Sequence, residues 1–395
     1  MFFSAIKSHL KWSYFFGFTL IVFYLFACIQ RGNDFLTFYE VGKNILLGKS
    51  VYLPAPSTGM YVFYMPHFAV VAILLALLPF WLSATLWFTG KLYLFFWYLK
   101  EAFSQGYFDH SELRTKEKVL LVFPFLFLIS NLHSDFILGQ INLYIMFLLV
   151  LSFYFVSKGQ NFVSAGCFVL ASIKVTPMVF ILWFVLKKKW TFLFYVILIF
   201  VGSYLVLHIN STNGIENEIS AWLSLSTQMK AAKGELTLIS NQSLVGAFSR
   251  ILNSSKLGSL TAIGFGGFLI LVVSGLTLMD RSEVGSFSLC FVLMLLLSPD
   301  TRSAHMVHLT IPMVFIFKCF VKRGGIDLFY LGSSFVAILF ATQDLIGLRA
   351  SNWALSNNLF TYYMMIIFGF CGYFILKSKV MVEKDIAKRP YQMLS

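Results

Sequence analysis

The sequence predicts an all-helical protein that crosses a membrane many times. Its 395 residues are 58% hydrophobic and 18% aromatic, and only 12% are charged, whereas soluble domains are about 25% charged. The mean hydropathy is +0.80, and no long polar stretch interrupts the chain. We therefore expect one membrane domain over residues 1–395, without a separate soluble domain.

Apolar runs close to the ~20 residues of a membrane span recur along the chain. Pro79, Pro124 and Pro177 interrupt apolar stretches, and such breaks occur in membranes inside protein or beside a cavity. The runs predict about twelve helices, near 12–29, 67–82, 83–99, 119–133, 140–156, 161–186, 190–208, 259–279, 285–297, 306–321, 326–343 and 359–376.

The positive charge indicates the orientation of these helices. The net charge is +13, and Lys and Arg gather where cytoplasmic loops are expected, so the excess predicts no nucleic-acid partner. The lysines at 187–189 and the tail at about 377–395 lie inside in this reading. Loops at about 30–66 and 209–258 then lie outside, while the topology between 67 and 186 stays open.

A carboxylate follows the first apolar run within RGNDFLTFYE. Asp34 would lie at the membrane–water boundary, where partial burial raises the pKa of a carboxyl group toward the range of a general base. It would serve equally well as the N-cap of an interfacial helix. Glu40 lies six residues on and would point in another direction on a helix, so a single carboxylate is the better prediction.

Cations in apolar surroundings form a second group of candidates. Lys174 lies inside SAGCFVLASIKVTPMVF, where a lysine is costly, marks a functional site by default and suits a phosphate. Snorkelling to an interface is the alternative. Arg302 and His305 lie three residues apart in SPDTRSAH, on one face if the turn is helical, although an ordinary polar turn explains them too. No ligand set spaced for zinc accompanies the histidines.

Amide side chains occur in two short polar motifs. Gln140 and Asn142 belong to GQIN, and Asn241 and Gln242 open NQSLVGAFSR. Amides commonly contact sugar hydroxyls, but they also satisfy helix ends. No P-loop, GxGxxG or HExxH motif is present in the sequence.

Six short motifs follow one another over about residues 30–310. They are DFLTFY with LLLGKSVY, YMPHFAVVAILLALLP, GQIN, IKVTP, NQSLVGAFSR and LLLSP followed by His305. In this order they resemble glycosyltransferase family 87, the polyprenyl-phosphate-mannose-dependent mannosyltransferases of the C-type superfamily. The run DTRSAH departs from the family pattern, because Arg302 stands where a Trp is frequent and Ala304 stands at the first of two histidines.

The resemblance implies an inverting enzyme of the C-type fold. It would move a hexose, mannose in the family, from a polyprenyl phosphate to a lipid or glycan acceptor on the outer face of the plasma membrane, without a cofactor or metal. Asp34 would be the general base, and Lys174, Arg302 and His305 would bind the donor phosphate. The predicted substrate-binding residues are Tyr39, Glu40, Gln140, Asn142, Asn241 and Gln242.

Two other functions fit a membrane protein of this composition. A lipid-linked oligosaccharide polymerase or ligase would carry several arginines in its large outer loops, whereas the 209–258 segment has only Arg250. A transporter or flippase would show inverted repeats and paired broken helices, and no internal repeat is evident in the sequence.

Overall fold

A computed structural model describes residues 19–103, 123–210, 214–231, 238–280, 283–321, 332–333 and 343–392. These residues form helices and connecting turns and contain no strand, which confirms the all-helical prediction. The helices are α1 Thr19–Arg31, α2 Asn33–Leu46, α3 Phe68–Ala76, α4 Phe80–Phe103, α5 Phe123–Phe127, α6 Ile129–Leu138, α7 Asn142–Ser157, α8 Asn161–Ala171, α9 Phe180–Leu186, α10 Trp190–Asn210, α11 Gly214–Ala231, α12 Leu244–Ile251, α13 Ser255–Met279, α14 Val284–Leu297, α15 Thr310–Val321, α16 Gln343–Ser356 and α17 Leu359–Gln392.

Membrane-spanning helices are present in the described part of the chain. The segments Ser255–Met279, Ser303–Phe320 and Leu359–Lys377 are each long and apolar enough to cross a bilayer. Helices α6 and α7 meet at an angle of 111°. They would make a fourth span if the two together cross the bilayer as one broken helix. Shorter apolar helices, including α1, α8 and α14, accompany them. The total of twelve spans stays a prediction, and most of the run near 326–343 lies outside the described residues.

The core is centred on α14, which is apolar on every side. Residues 285–296 of this helix are all buried, as expected of a helix surrounded by protein. Helices α13, α15 and α17 pack around it. The 3₁₀ helix Ser303–Leu309 follows α14 through a polar turn and leads into α15. This turn therefore starts from a helix that is buried on every side.

The two predicted outer loops contain helices and touch each other. Helix α2 lies in the 30–66 segment, and α11 and α12 lie in the 209–258 segment. The hydroxyl of Ser50 donates a hydrogen bond of 2.9 Å to Glu218 on α11. Glu218 is buried, so this contact joins the two segments through a protected hydrogen bond.

Helix α2 is pressed closely against α3. A Cβ atom at Gly42 would overlap the backbone carbonyl of Ala72, so the side-chain-free glycine allows the two backbones to approach. Phe35 and Phe38 on the same helix are buried. The start of α2 is thereby held in a defined place, and Asp34 with it.

Candidate active site

Asp34 lies in the first turn of α2 and does not cap it. The N-cap residue is Gly32, and no side chain caps the helix, so the capping interpretation of Asp34 is wrong. The carboxylate is half-buried, and the side-chain amide of Gln140 favours its charged form. A carboxylate at this position is available for chemistry because its helix does not need it.

A break between α6 and α7 brings Gln140 to Asp34. Gly139 ends α6 with a φ of +72°, and an added Cβ would lie 2.8 Å from the Cβ of Phe35. The left-handed conformation favours glycine, and the short distance places this turn directly on α2. The indole of Trp87 donates a hydrogen bond of 3.1 Å to the Gly139 carbonyl and holds the turn from the other side.

Lys174 lies in a second break, between α8 and the 3₁₀ helix Thr176–Val179. Its ammonium donates a hydrogen bond of 2.6 Å to Oδ1 of Asn142 and lies 5.5 Å from the ring centroid of Tyr64. The backbone of Met65 donates to the Ile173 carbonyl at 2.8 Å and fixes this break. Lys174 therefore faces other polar residues of the protein.

His305 meets Lys174 from the third break, the turn after α14. Its Nε2 lies 3.3 Å from the ammonium of Lys174. Its Nδ1 accepts a hydrogen bond of 3.0 Å from the backbone N–H of Arg302, so a neutral imidazole carries its proton on Nε2. Two donors thus face each other, and an acceptor oxygen shared between them would satisfy both.

The charges around Lys174 are mostly negative. The carboxylates of Asp135, Asp34 and Asp300 favour the protonated form of Lys174. Burial raises the pKa of Asp34, and Lys174 and the side-chain amide of Gln140 limit the rise. The base candidate and the cation candidate therefore each bring the other closer to its charged form.

The sequence analysis missed a buried ion pair beneath this centre. The ammonium of Lys91 on α4 lies 2.8 Å from Oδ2 of Asp135 on α6, and both side chains are 0% exposed. Lys91 also donates to the backbone carbonyl of Asp135 at 2.9 Å, which in turn accepts from the N–H of Gln140 at 3.0 Å. Each residue is a charge inside an apolar stretch, and that signal was available in the sequence.

Arg302 lies in the same turn as His305 but has a different partner. Its Nε donates to Oδ2 of Asp300 at 2.7 Å, and its side chain is 47% exposed. Asp300 also acts on the charge of Lys174 and was not singled out by the sequence. The arrangement puts Arg302 at the rim of the centre, and its role in phosphate binding stays a prediction.

Tyr39 and Glu40 are engaged with neighbouring loops. The Tyr39 hydroxyl donates to the Leu78 carbonyl at 3.0 Å. The Glu40 carboxylate accepts from the backbone N–H of Ser57 at 2.9 Å and also from its hydroxyl. Glu40 thus makes its hydrogen bonds in a different place from Asp34, in agreement with the single-carboxylate prediction. Substrate binding by Tyr39 and Glu40 stays a prediction.

Asn241 and Gln242 are buried and bind backbone groups. Asn241 donates to the Pro299 carbonyl at 3.0 Å and accepts from the N–H of Thr301 at 3.2 Å. The amide of Gln242 donates to the Leu355 carbonyl at 2.8 Å, and its backbone N–H donates to the Thr301 carbonyl at 2.7 Å. These bonds hold the turn that carries Arg302 and His305, and a direct contact with substrate stays a prediction.

Three helix breaks and the start of α2 therefore converge on one polar centre. It combines a half-buried carboxylate, an ammonium group and an imidazole within an apolar helical protein. Among the described residues, no group of three His, Cys, Asp or Glu side chains is arranged to hold a metal ion. In the part of the chain that the structure describes, fold and site define an integral membrane protein in which a carboxylate, an ammonium group and an imidazole come together where its helices are broken.

A comparison with known protein families identifies the family of this chain. The model of glycosyltransferase family 87 matches residues 61–299, and the chain belongs to this family. It is therefore a membrane glycosyltransferase. The matched residues include Gln140, Asn142 and Lys174, whereas Asp34 and His305 lie outside them. Searches of curated proteins and of solved structures return no significant match.

Proposed function

We propose that the enzyme transfers a hexose, mannose in the first instance, from a polyprenyl phosphate to the hydroxyl of a lipid or glycan acceptor. The observation that carries the proposal is the placement of one carboxylate and two facing donors in the same centre. Asp34 supplies a base. Lys174 and His305 supply the donors, 3.3 Å apart, where a phosphate oxygen would accept from both.

The reaction proceeds with inversion in a single displacement. The acceptor oxygen forms a bond to the anomeric carbon, and its proton passes to Asp34. The bond between that carbon and the phosphate oxygen breaks, and its electron pair stays on the phosphate. A phosphodiester with one negative charge becomes a monoester with two, so fixed cations beside the phosphate lower the barrier.

The membrane location suits a donor with a lipid tail. Asp34 follows α1 by three residues, so a base at the end of a membrane helix meets a sugar held at the headgroup level. We place this centre on the outer face of the plasma membrane, in a single domain of the C-type fold with about twelve spans. Arg302 at the rim would contact the same phosphate as it arrives.

The polymerase or ligase alternative required arginines free to bind substrate in the 209–258 segment. The guanidinium of Arg250 binds the side chain of Asn358 and the Leu238 carbonyl. This arginine therefore joins two parts of the protein, which favours the transferase proposal.

The test is glycosyl transfer by the purified protein in detergent. Radiolabelled polyprenyl-phosphate-mannose and a membrane lipid extract serve as donor and acceptor. We expect a labelled lipid product, because the centre holds both a base and a phosphate site. If no product forms from this donor but forms from another lipid-linked hexose, the mannose assignment is wrong and the transferase stands. Failure with every lipid-linked sugar tested would refute the proposal.

We expect kcat/KM to fall at both low pH and high pH. Asp34 must be ionised to act, so activity is lost as the pH falls through its raised pKa. Lys174 must be protonated, so activity is lost at the alkaline pH that removes the proton from its ammonium group. A Lys174→Arg variant keeps its charge in alkali and should extend the alkaline limb upward. If the alkaline limb of the profile does not move in this variant, the loss of activity at high pH comes from a group other than Lys174.

A further inference from the structure

Two amide side chains lie between Lys174 and Asp34. Lys174 donates to Oδ1 of Asn142 at 2.6 Å. The amide nitrogen of Asn142 donates to Oε1 of Gln140 at 2.7 Å. Gly139, next to Gln140, packs on Phe35, next to Asp34, and the Gln140 side chain favours the charged form of the Asp34 carboxyl group. Two neutral amides thus lie between the candidate cation and the candidate base.

The two charged groups determine the orientation of both amides. An ammonium group can only donate, so it must face the oxygen of Asn142, and a carboxylate can only accept, so it must face the nitrogen of Gln140. With either amide reversed, two N–H₂ groups or two oxygens would face each other. All donors therefore point toward Asp34, and both amide dipoles are aligned between a positive and a negative group.

The backbone around the amides holds them in this register. Asn142 is buried, and its amide nitrogen also lies 3.3 Å from the Ala304 carbonyl in the turn after α14. Gln140 follows the left-handed Gly139, and its backbone N–H donates to Asp135 at 3.0 Å. Both amides are thus committed to protein partners on more than one side.

We propose that Gln140 and Asn142 are positioning residues that couple the charge of Asp34 to that of Lys174, and that they do not bind substrate directly. This inference rests on the proposed function for the roles of Asp34 as base and Lys174 as phosphate ligand. Amides carry no proton from one end to the other here. They transmit the field, because aligned hydrogen bonds in a protected site strengthen one another.

The coupling has a direct consequence for the reaction. In the resting enzyme, Lys174 is oriented through the amides toward the ionised Asp34. When Asp34 takes the acceptor proton it loses its charge, and the pull along the chain weakens. At the same time the phosphate beside Lys174 gains a negative charge. The attraction of the Lys174 ammonium group to Asp34 thus weakens at the step in which the neighbouring phosphate gains a negative charge.

Other charged groups also face Asp34 and must be separated from the amide effect. Lys174 and Lys91 favour its ionised form, whereas Asp135 disfavours it. Tyr64 lies over Lys174 and close to the carboxylate. None of these groups is changed by substitution of Gln140, so a shift produced at that position reports the amide.

The experiment is an infrared titration of the Asp34 carboxyl group without substrate. The Asp34 band is isolated as the difference between each protein and its Asp34→Asn counterpart. We compare the parent with Gln140→Leu, Asn142→Leu and the double variant. Gln160→Leu, a change at an exposed glutamine between α7 and α8, is the matched control.

We expect Gln140→Leu to raise the Asp34 pKa by about one to two units, because it removes an amide that favours the charged form. Asn142→Leu should raise the Asp34 pKa by less. The double variant should have the same Asp34 pKa as Gln140→Leu, because loss of Gln140 already interrupts the contact between Asn142 and Asp34. Additive shifts, or no shift in Gln140→Leu, would overturn the inference. If Asn142→Leu does not fold, Asn142→Ala takes its place, with the same less-than-additive result expected.

The titration separates this inference from the proposed function. It needs no donor or acceptor, so the coupling can be confirmed in a protein whose sugar donor is still unidentified. The converse result is an unchanged Asp34 pKa in Gln140→Leu of a protein whose parent transfers the sugar. That result would support the proposed transferase function and return Gln140 to its predicted role as a substrate ligand.

Discussion

Asp34→Asn is expected to lower kcat by about 10²–10⁴-fold, the range that a general base contributes. The amide keeps the size of the side chain but cannot take the acceptor proton. Because Asp34 does not cap α2, the substitution should leave the helix and the fold intact. The measurement is the rate of labelled product formation at saturating donor, together with donor binding by the same protein.

The matched control for this prediction is Glu283→Gln, an acid-to-amide change at the start of α14. Glu283 pairs with Lys189 at 3.4 Å in a partly exposed site, so its loss should leave turnover within about twofold. Donor affinity should change much less than turnover in Asp34→Asn, since the phosphate contacts lie on other elements and Asp34 acts on Lys174 only indirectly. Turnover equal to that of the parent would show that Asp34 is not the base.

Lys91→Met is expected to destabilise the protein by about 3–5 kcal/mol, because it leaves the Asp135 carboxylate buried without its partner. Both side chains of this pair are 0% exposed. Lys91 also holds the Asp135 carbonyl, so its loss should disturb the turn that carries Gln140. The measurement is thermal unfolding in detergent, with the midpoint compared with that of the parent protein.

Two further variants test whether buried charge is the cause. Lys189→Met breaks the partly exposed pair with Glu283 and should cost about 0–1 kcal/mol. Lys91→Met combined with Asp135→Leu removes both buried charges and should recover most of the lost stability. Equal destabilisation by Lys91→Met and Lys189→Met would show that the Lys91–Asp135 pair has no special role.

Much of the candidate site could be found from the sequence, because charges stand out in an apolar chain. Asp34, Lys174 and His305 were each singled out in this way, and the structure brings them to one centre. The same signal was present at Lys91 and Asp135, but the sequence analysis did not single them out. They are 44 residues apart, and only their pairing reveals that they are buried together.

The amide motifs show where sequence reasoning stops. GQIN and NQSLVGAFSR both look like sugar-binding segments, since each offers amides beside an apolar helix. In the structure, Asn241 and Gln242 hold a backbone turn, whereas Gln140 and Asn142 connect two charged groups. A side-chain amide serves either purpose equally well, so only its partners decide which.

The amino-acid sequence alone predicts a helical membrane protein and identifies it as a member of glycosyltransferase family 87. Composition and hydrophobic run length are local properties, and a bilayer permits few solutions to them. The contact between Lys174 and His305 and the hydrogen bonds that lead from Lys174 through Asn142 to Gln140 become visible only in the folded protein. These contacts join helix breaks far apart in the chain, and their geometry depends on close packing at Gly42 and Gly139.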